Sequence, residues 1–109
     1  MANVFTNAKK DLTTNGVTTV YTVPASTTGI VKSILVSEDS GNADSITLTL
    51  TDASSNVFSL YKTKAVSANE TIGLLSQPIV LQESEVIKAT AATGNRLHIV
   101  LSVLQINRE

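Results

Sequence analysis

One imidazole, no thiol and a scatter of carboxylates make up the reactive side chains of this sequence. His98 is the one ordinary general base, and a nucleophilic triad would need it beside a hydroxyl. None of the twelve serines sits in a Gly-x-Ser-x-Gly elbow. His98 lies between Leu97 and Ile99 in an alternating run, so it points away from their face and reads as a surface or interface residue. Glu83 and Glu85 could share one side of a short segment, as paired carboxylates of a glycosidase must, but they fall in a turn that solvates them. Asp39, Asn42 and Asp44 surround Gly41 with oxygen ligands of the kind calcium prefers. Their order is not that of an EF-hand loop, and the closing bidentate glutamate is missing, so a plain turn is expected. A structural zinc set cannot be assembled from a single imidazole without thiolates. Asn69-Glu70-Thr71 fits the glycosylation sequon but has no export signal to accompany it. There is no glycine-rich phosphate loop, and Phe5, Tyr21, Phe58 and Tyr61 are too scattered to form a stacking platform for bases or sugars. The expected catalytic, metal and cofactor sites are therefore none, and the chain reads as a non-enzyme.

The residues around these groups specify strands. Fifteen threonines, twelve valines and eight isoleucines in 109 residues stand in short alternating runs. In 46–51, isoleucine and leucine alternate with threonine without error, which sends one face inward and the other to water or a partner. In 97–106, Leu97, Ile99, Leu101 and Val103 make one face, and Val100, Leu104 and Ile106 make much of the other. In 30–38, Ile30, Ile34 and Val36 are expected on one face and Val31 and Leu35 on the other, so this strand is expected to be central or covered on both sides. Further strands are expected at 57–62, 79–81 and 86–91, with a short apolar run at 71–75 broken from 79–81 by Ser76-Gln77-Pro78. In 57–62, Phe58 and Leu60 are expected opposite Val57 and Tyr61. Asn15-Gly16 predicts a two-residue type I′ hairpin with arms at 12–14 and 17–23, ended by Pro24, with 25–29 a loop. Residues 1–8, carrying Val4 and Phe5, read as an N-terminal arm or edge strand. No window holds a helical period. The fold expected is all-β: a single antiparallel β-sandwich over 1–109, jelly-roll-like, of about eight short strands.

Bulk composition narrows the function. Charged residues are 16% of the chain, where about 25% is usual, and the net charge is −1. No basic field exists to hold a nucleic acid or an anionic membrane, so neither is an expected partner. Without cysteine, stability must come from packing or from neighbours. No stretch approaches a membrane span, and the first residues lack the pattern of a secretory signal. A surface of hydroxyls can be pressed against another protein without stranding ions.

One segment carries more than composition. Val20-Tyr21-Thr22-Val23-Pro24-Ala25-Ser26-Thr27-Thr28-Gly29-Ile30-Val31-Lys32-Ser33-Ile34 follows an opening of Val4-Phe5-Thr6-Asn7-Ala8 and precedes a turn at Ile79-Val80-Leu81-Gln82-Glu83. In these features the chain resembles small structural proteins of tailed bacteriophages, especially phages of cyanobacteria and other aquatic bacteria. It departs from them at Ser84-Glu85, where they tend to have glycine-aspartate. The resemblance implies a virion component, assembled in the host cytoplasm and present in many copies. The foremost expectation is a capsid decoration or cement protein, a homo-oligomer with a trimer favoured, bound to the major capsid protein or other virion proteins. A tail adaptor, baseplate or fibre-base subunit is the alternative, and a carbohydrate-binding sandwich a further one. Val4, Phe5, Val100, Leu104 and Ile106 are the expected interface residues.

Overall fold

A computed structural model describes residues 3–108. Met1 and Ala2, the start of the expected arm, lie outside the described residues, as does Glu109. The described residues form nine β-strands: β1 (Asn3–Leu12), β2 (Thr18–Thr22), β3 (Thr27–Glu38), β4 (Asp44–Thr51), β5 (Val57–Val66), β6 (Thr71–Gly73), β7 (Ile79–Leu81), β8 (Val86–Ala91) and β9 (Leu97–Asn107). Two antiparallel sheets face each other. Sheet A runs β1, β9, β3 and then β6 and β7, which both pair with the far edge of β3; sheet B runs β2, β8, β4, β5. The chain changes sheet at every step except from β4 to β5 and from β6 to β7, which gives the strand order of a jelly roll. Ser76-Gln77-Pro78 separates β6 from β7 as expected, and the described part of the expected arm continues to Leu12 as the single strand β1.

The alternation read in the sequence places the core. Leu97, Ile99, Leu101 and Val103 of β9 are buried, as are Ile46 and Leu48 of β4. At two positions of sheet B a large side chain pairs with a small one: Ile46 is opposite Ala91 and Leu48 opposite Ala89. That pairing lets the facing sheet approach closely. Gln105 donates to the hydroxyl of buried Tyr21 at 2.8 Å and ties the two sheets together at one end.

Four local expectations are corrected. Asn15-Gly16 does not close a hairpin: β1 pairs with β9 and β2 with β8, so 13–17 carries the chain from one sheet to the other. Neither residue takes the positive φ that a type I′ turn needs. The competing force is burial. Leu12, Val20 and Tyr21 reach the core from opposite sheets, and packing two sheets outweighs a local ladder. Residues 27–29, expected in a loop, begin β3 instead. Within β3 the pairing with β9 slips between Val31 and Ser33. Lys32 is thus the extra residue of a β-bulge, which moves Val31 onto the buried face with Ile34 and Val36 and leaves Ile30 outward. Likewise β5 extends to Val66 but slips twice against β4. Val57 and Phe58 are both exposed and Leu60 and Tyr61 both half-buried, so the expected alternation fails there.

One glycine is required by a close approach. A Cβ on Gly94 would stand 2.5 Å from the carbonyl oxygen of Thr13, where the 92–96 turn packs on the 13–17 crossing and Asn95 donates its N–H to the Leu12 carbonyl at 2.9 Å.

The two faces of β9 give a direct check of this architecture. Leu101→Ala should cost about 2–5 kcal/mol of stability, as a fully buried leucine does. Leu104→Ala, on the outer face of the same strand, should cost under about 1 kcal/mol. Urea unfolding of both variants measures the difference, and equal losses would contradict the assigned register.

Candidate functional site

The polar side chains that could do chemistry are used at the ends of the sandwich. His98 stands on the outer face of sheet A. Its Nε2 is 3.1 Å from Asp11 Oδ1, and its Nδ1 is 3.6 Å from Asp39 Oδ2. Both ring nitrogens face carboxylates, which leaves neither turned to a hydroxyl as a nucleophilic triad requires. Glu83 accepts from the Ser26 N–H and from Arg108, each at 2.9 Å, and so pins the 23–26 loop and the chain end. Glu85 accepts from the Gln82 N–H at 2.8 Å and closes its own turn. Asp44 reaches away from Asp39 to take the Thr93 N–H at 3.1 Å, and Asn42 donates to the Ser40 carbonyl. The three residues of the expected loop do not converge. Among the described residues no group of three or more histidines or carboxylates could hold a metal ion. The aromatic rings are dispersed: Tyr21 is buried, Phe5 lies in sheet A, and Phe58 and Tyr61 lie in β5 of sheet B.

Glu38 is the carboxylate that organises one end, and sequence reasoning passed it over. It closes β3 opposite Leu97 and is only 2% exposed. Its carboxylate accepts the N–H groups of Ser40 at 2.8 Å, Gly41 at 3.0 Å and Asn69 at 3.0 Å, together with the Ser40 hydroxyl. Burial works to raise its pKa. The Ser40 hydroxyl and the N–H groups of Asn69, Ser40 and Gly41 outweigh burial and hold it down at about 2. One side chain thereby fixes both the 39–43 and 67–70 crossings between the sheets. The available signal was an acidic residue immediately before the Asp-Ser-Gly-Asn cluster. Asp52 plays a smaller version of this part in the β4–β5 turn. The Asn56 N–H lowers its pKa against a partial burial penalty, helped by the Asn56 side chain and the Ser54 N–H.

The surface that remains is the outer face of sheet A. Register places Phe5 opposite Leu104, Leu104 opposite Ile30, and Ile30 opposite Val80, an apolar row crossing β1, β9, β3 and β7. Phe5 is 78% exposed and Val80 59%. Val100 and Leu35 form a second apolar pair on the same face. Of the expected interface residues, Phe5, Val100, Leu104 and Ile106 share this face. Val4 does not: it alternates with Phe5 and is opposite Gln105, on the side turned toward sheet B. Ile30, Leu35 and Val80 were missed because only the ladder and the Lys32 bulge bring Ile30 and Leu35 beside β9 and Val80 beside Ile30.

This fold is shared with solved assemblies. A chain from Bacillus endospore appendages, described as disulfide-linked pili, superposes with a TM-score of 0.60 at 6% identity, covering 99% of this chain and 88% of that one. A chain from the acidic stable capsid of Helicobacter pylori bacteriophage KHP30 superposes at 0.55 with 13% identity, covering 100% and 90%. A chain from the virus-like particle of the Macrobrachium rosenbergii extra small virus does so at 0.50 with 13% identity, covering 99% and 80%. At these identities the likeness is one of fold. No family model matches the chain, and no curated protein matches it in sequence. Among the described residues no helix is long and apolar enough to cross a membrane.

The Glu38 cluster predicts a pH dependence of stability. A carboxyl held at about 2 against an ordinary 4.5 contributes fully above about pH 4.5 and loses that contribution as pH falls toward 2. Glu38→Gln should therefore unfold at lower urea than the parent at neutral pH, and the gap should close between about pH 4.5 and pH 2. A gap that stays constant over this range would mean that the charge does not hold the two crossings.

Proposed function

We propose that this protein is a structural subunit of a bacteriophage virion that works through protein–protein contacts. In the finer reading it is a decoration or cement protein that binds the assembled head and stabilises it, since whatever binds the assembled state preferentially shifts the equilibrium toward it. The observation that carries the proposal is the apolar row of Phe5, Leu104, Ile30 and Val80 on the outer face of sheet A, at the end away from Lys9, Asp11 and His98. Exposed apolar surface of this kind marks an interface. The carboxylates and His98 are meanwhile held among turns and strand ends. The resemblance of the sequence to small phage structural proteins, and the use of the same jelly roll in the KHP30 capsid, support the choice of a virion. The major capsid protein is the proposed partner, together with further copies of this chain. The sequence has no cysteine, so cross-linking of subunits through disulfides is not open to these residues.

A second reading places the subunit in the tail, as an adaptor, baseplate or fibre-base part. The fold likeness to a pilus chain favours it to the extent that the same sandwich can be stacked into a filament.

Immunogold labelling of virions from the source, with antibody raised against the purified chain, separates these readings. Labelling over the whole head is the expected result, and labelling confined to the tail selects the second reading. Particles without label would remove the protein from the virion. Within labelled particles, Phe5→Glu should lower the copy number at least tenfold.

A further inference from the structure

The apolar row on the outer face of sheet A has a counterpart on the same face, and the two are placed symmetrically. Asn7, Ser102 and Ser33 form a polar row across β1, β9 and β3. Two residues along β1 and β9 toward one end lies the row of Phe5 and Leu104, continued by Ile30 and Val80. Two residues toward the other end lie Lys9 and Val100, continued by Leu35 and Gly73. The first row protrudes at its ends, through Phe5 and Val80. The second has no large apolar side chain at its ends, and Lys9 Nζ turns back to Asn7 Oδ1 at 2.9 Å. A groove of about 330 Å³ opens where Lys9, Asp11, His98 and Val100 meet, and Gly73 carries no side chain.

We infer that the occupant of this face is a second copy of this chain, related by a two-fold axis lying along the polar row. Such a rotation reverses the strand direction and sets each strand over its own equivalent. Phe5 of one copy then enters the groove beside Val100 of the partner subunit. Ile30 lies over Leu35 of the partner subunit, and Val80 fills the notch at Gly73 of the partner subunit. Each contact occurs twice, as an isologous interface demands. Asn7 and Ser102 meet their own equivalents on the axis, so Lys9 Nζ, which donates to Asn7 Oδ1 at 2.9 Å in the single copy, turns out to solvent at the edge strand β1 and the two ammonium groups stay apart. Lys32 is exposed beside Ser33, level with the axis, and reaches solvent through the gap that β6 and β7 leave along the edge of β3. The face measures roughly 27 Å along the strands and roughly 15–20 Å across them. Burying it on both copies removes on the order of 1,000 Å² from water, the lower end for a specific pair. A dissociation constant on the order of micromolar fits that size. The inference rests on this face being the interaction surface, not on the location of the assembly.

The absence of cysteine allows a clean test. Asn7→Cys places one thiol on the axis, and facing sheets lie about 10 Å apart. A bismaleimide with a spacer of about 8 Å should join Asn7→Cys into a covalent dimer. Thr47→Cys, on the outer face of sheet B, should remain uncoupled under the same conditions. In sedimentation equilibrium the parent should dimerise, and Gly73→Leu should weaken the dimer at least tenfold. This variant leaves the protomer fold intact, because a Cβ there meets only Leu35 Cδ2 at 3.9 Å and the backbone is outside the left-handed region. Phe5→Glu should act in the same direction. A parent that stays monomeric to about 100 μM, or a dimer whose constant Gly73→Leu leaves unchanged, would overturn the inference. A dimer in solution together with unlabelled particles would instead leave it standing and remove the virion reading.

Discussion

The ladder that β9 makes on both of its edges governs the rest of this molecule. Ten residues of β1 pair with it on one side, and nearly the whole of β3 pairs on the other, with one slip at Lys32. Because side chains alternate, that register determines which half of each strand builds the core and which half is offered outward. Leu97, Ile99, Leu101 and Val103 go in opposite Glu38, Val36, Ile34 and Val31. His98, Val100, Ser102, Leu104 and Ile106 go out. The core and the candidate interface are thus two sides of one set of backbone hydrogen bonds.

The same economy governs the polar groups. A sandwich whose chain crosses repeatedly between sheets must satisfy backbone N–H groups at every crossing, and leaving them unpaired is costly. Here the carboxylates meet that need. Glu38 serves two crossings at one end, Glu83 and Glu85 serve the loops at the other, and Asp52 serves the β4–β5 turn. These acidic residues look like loose surface charge in the sequence, yet they act as turn-closing acceptors.

The edges of the two sheets are treated differently. In sheet B, β5 is interrupted by two register slips, and Thr63 takes a φ of 54° with its N–H bonded to the Thr47 hydroxyl. Such irregularity discourages edge-to-edge pairing. Sheet A presents a long regular edge in β1 and, beside it, the exposed Phe5. The interrupted edge and the long regular edge thus belong to different sheets.

Much of the fold was legible in the residues. The period-two runs of β4 and β9, the turn clusters at 39–44 and 52–56, and the break at Pro78 place strands and loops correctly, because side-chain alternation and proline geometry are local properties. The outward set Val100, Leu104 and Ile106 was legible for the same reason. The false hairpin at Asn15-Gly16 shows the limit: a turn propensity of a few residues yields to the burial of Leu12 and Tyr21 in opposite sheets. Glu38 as the shared acceptor of two loops, the bulge that turns Ile30 outward, and the alignment of Phe5 and Val80 at the two ends of one row across four strands all depend on residues far apart in the chain. Sequence determined which side chains could face out, since alternation is written residue by residue. Only the tertiary structure decided which of them stand side by side, because register between distant strands is set by the packing of the whole core.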